Sequence, residues 1–408
     1  MTLSDASIAE GRSASSDRAG AAPLAAGPVG RRPGRQHIVV IASLTRSLVI
    51  FRLELLKAMV AAGHRVTALA PDDDADAART LAGIGVSFRR IPMARTGTNP
   101  IADLRTMASL YRTMRSLSPD ILFAYTMKPI IYGGLAARLA GVRRRFAMFT
   151  GFGYMFGSEG ETVSGSALRW LSVQLYRRAL VGASAAFFYN DADGEDIRRH
   201  AMLGTGTPMI AISGSGVDLD LYERQPIPPG PPVFLLVARL LREKGILEFA
   251  EAARALKTRY PQARFQILGP FYESPLAIGR SDLQRLQTDG AVEYLGETSD
   301  VRPYLSASTV FVLPSYYREG IPRSALEALA TGRAIVTTDA PGCRETVIDG
   351  QNGVLVPPRD AGALAAAMAR FLEDPALAVT MGTRSRRLAE ERFDVHAINR
   401  ALLGALEL

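Results

Sequence analysis

The sequence predicts an α/β protein made of two doubly wound, Rossmann-like domains that face each other across a cleft. Three observations carry this. Short continuous apolar runs recur along the chain, as expected for parallel strands buried on both faces. Helix-like stretches alternate with them, the pattern of crossover units. A Pro-rich break, Tyr222 to Pro232 (YERQPIPPGPP), separates two similar series.

The elements follow in order. Residues 1–35 are rich in Ser, Ala, Gly and Pro without periodicity and read as a disordered tail. His37 to Ser43 is the first buried strand, and a helix-like run from Ile50 to Ala62 stops at Gly63. Val66 to Ala70, Val86 to Ile91, Ile121 to Tyr125, Phe146 to Phe149, Ala185 to Tyr189 and Ile210 to Ser213 read as further strands. Helices are expected at Gly133 to Ala140 and Ala167 to Leu180. This first domain spans 36–222. The second, 223–389, restarts the alternation with strands at Val233 to Val237, Arg264 to Leu268, Val292 to Leu295, Val310 to Leu313 and Ala334 to Thr337. Helices near Gly362 to Leu372 and Pro375 to Leu388 complete it. The amphipathic stretch Val395 to Leu406, within 390–408, is expected to pack back on the first domain.

Composition narrows the class. With 408 residues, 48% hydrophobic and 22% charged, the chain suits a soluble protein with two or three domains. One cysteine, Cys343, excludes an internal disulfide and a cysteine zinc cluster. His37, His64, His200 and His396 show no metal-ligand spacing, so no metal site is expected. The net charge of +8 favours anionic partners: nucleotides, anionic lipid headgroups of a membrane surface, or nucleic acid. Lys and Arg are scattered apart from Arg143–Arg145 and Arg177–Arg178, and no aromatic-interleaved basic motif points to nucleic acid. No apolar run reaches the roughly 18 residues of a spanning helix, and the start lacks a signal-peptide pattern. The expectation is a cytoplasmic protein, free or peripheral on the inner face of the membrane. Trp170 and the methionines read as core, and Asp72–Asp74 as a solvated turn.

The segment Glu319-Gly-Ile-Pro-Arg-Ser-Ala-Leu-Glu327 concentrates the chemistry. It leaves an apolar strand and opens a helix, with Pro322 suited to the first turn. Free N–H groups at that helix start, beside Gly320 and Ile321, form an anion site. Carboxylates at Glu319 and Glu327 around it suit a ligand with both phosphates and hydroxyls, such as a nucleotide sugar. Arg239 and Lys244, followed by Gly245, stand at the end of the second domain's first strand and suit a diphosphate. Candidate ligand residues on the first-domain side, which become acceptor-side residues under the resemblance given below, are Lys128, and Gly151, Gly153 and Tyr154 in the loop after the strand ending at Phe149. Ser213 to Asp218 is a Gly-containing turn and Pro341–Gly342 another; Glu345 either faces the cleft or caps a helix. No nucleophilic triad or P-loop is present.

Taken together these segments resemble glycosyltransferase family 4, retaining enzymes of the GT-B architecture. The resemblance runs from His37 onward and is strongest from Val233 to Val356. It implies that Glu319 lies against a donor sugar, that Glu327 holds ribose hydroxyls, and that Arg239 and Lys244 bind the donor diphosphate. Ser215-Gly-Val-Asp218 is similar to an Asn-Gly-Val-Asp element, with Ser in place of Asn, and Gly350 to Val356 to a turn and strand after the donor site. Ser43-Leu-Thr-Arg-Ser47 replaces a paired-Gly loop, and Thr150 to Gly153 lacks a His that many members carry. Both departures, with the segment Tyr125-Thr-Met-Lys-Pro129, are similar to a bacterial subgroup that builds exopolysaccharide, capsule or O-antigen units on a polyprenyl diphosphate. The implied reaction moves a hexosyl group from a nucleotide diphosphate sugar, UDP-linked first and GDP-linked second, to a glycan or lipid-linked glycan, with no cofactor and no metal. Two rival readings stand beside it: a GT-B-like nucleotide-sugar epimerase, and a non-catalytic nucleotide-sugar or polyanion binder.

Overall fold

The computed structural model describes residues 34–94, 99–153, 163–272, 274, 276–288 and 290–408. Two all-parallel sheets organise it. The first holds β1 (His37–Ile41), β2 (Arg65–Ala70), β3 (Ser87–Arg90), β4 (Ile121–Tyr125), β5 (Arg144–Met148), β6 (Ala185–Phe188) and β7 (Met209–Ala211), in the order β3-β2-β1-β4-β5-β6-β7. The second holds β8 (Val233–Val237), β9 (Arg264–Leu268), β10 (Glu293–Tyr294), β11 (Val310–Leu313), β12 (Ala334–Thr338) and β13 (Gly353–Val356), in the order β10-β9-β8-β11-β12-β13. The order reverses between β1 and β4 in one sheet and between β8 and β11 in the other. Ligands of such sheets sit beyond the carboxyl ends of the strands at that reversal.

The central strands β1, β4, β8 and β12 are buried along their whole length, which is why they read as unbroken apolar runs. Other expectations need correction. The helix after β1 begins at Thr45, where Asp72 Oδ1 accepts the Thr45 N–H at 2.8 Å. Asp74 accepts the N–H of Ala77 and starts the helix Ala75–Gly83. Two of the three aspartates are therefore caps rather than a solvated turn. The helix Pro100–Leu117 left no clear sequence signal, because Thr106 and Thr113 share its buried face with Leu110 and Met114 while Ile101 and Leu104 point outward. The helix expected at Gly133 is preceded by a wide turn, Pro129–Gly133. Trp170 is 65% exposed, because the helix Val163–Ala179 buries Ser172, Val173, Tyr176 and Ala179 instead.

The Pro-rich connection is strapped to the second domain. Arg333 is fully buried and donates to the carbonyls of Leu305, Pro226 and Ser306; burial lowers its pKa to about 10. The helix Val395–Ala405 packs on the helix Thr45–Ala61 of the first domain, burying Ile398, Leu402 and Leu406. A bridge between Val217 and Asp394 starts that return.

Candidate active site

Both reversal points face one cavity of about 490 Å³. From the second domain, β8 runs out at Val237, and Arg239 follows on the cavity wall, its guanidinium 4.5 Å from the Tyr272 ring centre. Among the described residues Arg239 forms no ion pair with a carboxylate. A short turn, Arg242–Lys244, then ends at Gly245 with φ 74°. A Cβ there would lie 2.2 Å from the Pro314 carbonyl oxygen, so the chain leaving β11 presses on the turn and only glycine fits. This close packing holds Lys244 against the loop that carries Glu319. Lys244 is 6% exposed, and its Nζ donates to Glu319 Oε1 at 2.6 Å. Ser315 Oγ donates to the same oxygen at 3.0 Å, and the Tyr317 ring lies 5.4 Å from the ammonium. Two groups far apart in sequence thus form one largely buried ion pair.

Gly320 and Ile321 line the cavity as well. Pro322 is the N-cap of the helix Arg323–Thr331, one position ahead of the expected first turn, and the cap makes no side-chain hydrogen bond. Glu327 lies outside the cavity lining: its Oε1 accepts from Tyr222 Oη at 2.9 Å and from Arg323 Nε at 2.8 Å. Burial raises its pKa, opposed by Arg323. Lys128 is not brought to the cavity either; it pairs with Asp103 at 2.9 Å, turned there by the Pro129–Gly133 segment. Gly151 and Gly153 do line the cavity, and Tyr154 lies outside the described residues.

The two domains touch through the Glu319 loop itself. The Gly320 N–H donates to Thr150 O at 3.2 Å, and the Gly153 N–H to Arg318 O at 2.8 Å. Asn190 Nδ2 donates to Glu319 O at 3.2 Å, and Arg318 pairs with Asp196 at 2.6 Å. Asp193 lies buried beside them; burial pushes its carboxyl up to about 7 against the pull of Arg318. The peptide at Gly320 is held from both sides. A Cβ on Gly151 would meet Gly320 N at 2.4 Å, and one on Gly342 would meet Gly320 O at 1.9 Å. Pro341–Gly342 is therefore more than a turn, and Glu345 closes it by accepting the Gly342 N–H at 2.7 Å. The stretch Ser213 to Asp218 is equally constrained: Gly214 abuts Ile321, Gly216 abuts Val395, and Ser215 lines the cavity.

Several lining residues were missed from sequence. Ser43 and Tyr189 sit just beyond strands, so a survey of every strand end would have found them; Arg52 sits inside a helix and carried no such mark. Away from the cavity, Asp218, Asp220 and His396 bring ligand atoms within 4.8 Å of one another, though Asp218 Oδ1 already accepts the N–H groups of Asp220 and Leu221.

Residues 231–374 match the model of glycosyl transferases group 1, and residues 50–203 match that of a glycosyl transferase 4-like domain. N,N'-diacetylbacillosaminyl-diphospho-undecaprenol alpha-1,3-N-acetylgalactosaminyltransferase of Campylobacter jejuni is 29% identical over 82% of this chain and 89% of its own. UDP-Gal:alpha-D-GlcNAc-diphosphoundecaprenol alpha-1,3-galactosyltransferase of Escherichia coli is 29% identical over 70% of this chain and 75% of its own. Among solved structures, Anabaena HepE in complex with UDP superposes with a TM-score of 0.71 at 20% identity, over 90% of this chain and 98% of its own. Sucrose-phosphate synthase from Thermosynechococcus elongatus gives 0.70 at 21% identity, over 90% and 97%. These two structural likenesses establish the GT-B arrangement of the fold. With one model matched on each side of the cavity, the chain belongs to the glycosyltransferases that join a 4-like first domain to a group 1 second domain.

Proposed function

We propose that this glycosyltransferase moves a hexosyl group from a nucleotide diphosphate sugar, UDP-linked in preference to GDP-linked, to a glycan hydroxyl on a polyprenyl diphosphate. The carrying observation is the Lys244–Glu319 pair beside Arg239 at the reversal points of both sheets. Cations there oppose the charge that develops on a departing diphosphate, typically the largest catalytic contribution. The open start of the helix Arg323–Thr331 adds donors to the same wall. The names of the Campylobacter and Escherichia relatives, with their diphospho-undecaprenol sugars, support the lipid-linked acceptor, and the UDP-Gal of the second supports the base. Transfer proceeds with retention. The bond from the anomeric carbon to the phosphate oxygen breaks, the acceptor oxygen bonds to that carbon on the same face, and its proton passes to the leaving phosphate. Arg239 and Lys244 bind the leaving group, and Glu319 orients Lys244 and the sugar.

A thermal-shift screen against UDP, GDP and ADP tests the reading. UDP is expected to raise the melting temperature of the wild type, since a ligand of the folded state stabilises it, and Lys244→Ala is expected to abolish that rise. No response to any nucleotide would remove the donor site.

No helix among the described residues is long and apolar enough to cross a membrane. We propose peripheral contact through the outer face of the helix Val163–Ala179, where Trp170 and Leu171 are exposed, with Leu139 and Val181 exposed on neighbouring segments. The basic clusters contribute less than their composition suggested. Arg144, Arg145 and Arg177 donate to backbone carbonyls; Arg177 stays exposed all the same, as do Arg143 and Arg178, for which no such bond is found among the described residues. Trp170→Ser is expected to reduce co-sedimentation with anionic liposomes more than neutralising Arg143 and Arg178 together; the reverse ranking would make the contact electrostatic.

A further inference from the structure

Arg52 is 3% exposed, yet it lines the cavity from the first domain, across from Arg239 and Lys244. Its guanidinium donates to Tyr189 Oη at 2.5 Å, to Met148 Sδ at 3.0 Å and to the Phe51 carbonyl at 3.3 Å. It stands 5.0 Å from the Tyr125 ring centre and 5.9 Å from that of Tyr189. Among the described residues no carboxylate pairs with it, and its Nε is buried without a partner. Guanidinium stays charged in proteins, and burying an unpaired charge is costly. Hydroxyl and ring contacts offset only part of that cost.

Its surroundings repeat the signal. Thr126, at the end of β4, holds φ at 67°, a conformation that β-branched residues avoid, and its Oγ1 is buried without a partner. Ser43 and Leu44 line the same wall, where the start of the helix Thr45–Ala61 is already capped by Asp72. A buried cation lacking an anion and a strained threonine with an unused hydroxyl thus face one cavity. On the second domain, by contrast, Lys244 is already partly neutralised by Glu319.

We infer that Arg52 and Thr126 form a second anion site, on the first-domain wall, that takes a phosphoryl group of a diphosphate-bearing substrate. The assignment of that substrate rests on the reaction proposed above, in which donor and acceptor each carry a diphosphate; the anion site itself rests on the geometry of Arg52.

The probe is inorganic pyrophosphate, titrated calorimetrically into Lys244→Ala, where the second-domain cations compete less, and into the same protein carrying Arg52→Met. Removing Arg52 is expected to weaken pyrophosphate about 10- to 100-fold, as for loss of a hydrogen bond to a charged group. The unliganded Arg52→Met protein is expected to melt no lower than its parent, because an uncompensated charge has been removed. If it fails to fold, Arg52→Lys, which keeps the charge, is expected to retain most of the affinity. Equal pyrophosphate affinity with and without Arg52 would overturn the proposal and leave Arg52 a packing residue.

Two further arms, on the otherwise wild-type protein, identify the source. A UDP response weakened by Arg52→Met assigns the site to the donor. An unchanged UDP response with a raised KM for the lipid-linked acceptor assigns it to the acceptor. If Lys244→Ala keeps its UDP response while Arg52→Met still loses pyrophosphate, the donor assignment fails and the Arg52 site stands.

Discussion

Lys244→Ala is expected to reduce turnover at least ~100-fold in a protein that still folds, the usual scale for deleting one preorganised donor at a developing anion. Part of the effect falls on stability. Without the ammonium, Glu319 keeps, among the described residues, Ser315 as its one side-chain donor in a largely buried place. Breaking a fully buried pair costs about 3–5 kcal/mol; the residual exposure of Glu319 lowers the expectation to about 1–3 kcal/mol. Glu319→Gln gives the sharper contrast. It removes the charge that neutralises Lys244 at 2.6 Å while keeping a side chain of the same size. UDP is expected to bind this variant several-fold more tightly while kcat falls. Calorimetry beside initial rates separates the two effects. Unimpaired turnover in Lys244→Ala would dissolve the site assignment, and unchanged UDP affinity in Glu319→Gln would show that the carboxylate does not restrain the lysine.

A second large effect is expected at two glycines that flank the same peptide from opposite domains. Gly342 has φ 90°, and an added Cβ would fall 1.9 Å from Gly320 O and 2.6 Å from Glu319 O. Backbone lies on the far side of that contact, so no side chain can swing away. Gly342→Ala is expected to destabilise the protein by about 3 kcal/mol or more and to abolish the UDP response. Gly151 has φ 104°, and its added Cβ would meet Gly320 N at 2.4 Å, a contact between the two domains. Gly151→Ala is expected to keep the UDP response, because the donor cations belong to the other domain, while turnover falls ~100-fold through misplacement of the reacting groups. Denaturant unfolding beside UDP thermal shift and initial rates resolves the pair. Indistinguishable behaviour of the two variants would contradict the assignment of one glycine to the second domain's interior and the other to the contact between domains.

The architecture was legible in the sequence because parallel strands buried on both faces leave continuous apolar runs, and β1, β4, β8 and β12 are of that kind. The helix Pro100–Leu117 was not legible, since threonines at Thr106 and Thr113 break the apolar period while remaining buried. At the site, Arg239, Lys244 and Glu319 announced themselves by following strands of the second domain, and the fold brings them together. Lys128 followed a strand equally well, but a wide turn swings it to Asp103, a contact set by tertiary packing alone. Glu327 shares its segment with Glu319, yet helical geometry carries it past the cavity to Tyr222 and Arg323. Gly342 looked like an ordinary turn because close approach of a distant backbone leaves no trace in local sequence. Arg52 was silent for a similar reason: its lack of an anion becomes visible only when every neighbour is placed.

The returning helix Val395–Ala405 sets a timetable for biosynthesis. The face of the helix Thr45–Ala61 that it covers leaves the ribosome long before its cover does, with β2 to β13 between them in the chain. Between completion of β7 and emergence of Leu402 and Leu406, the whole second domain must still be made. At roughly 5–20 residues per second that interval is on the order of 10–40 s. Throughout it Leu48, Leu55 and Met59 belong to a core that lacks its closing layer. The nascent first domain thus carries an open apolar seam until the returning helix emerges, and a chain cut short before Leu402 would hold both sheets with that seam uncovered.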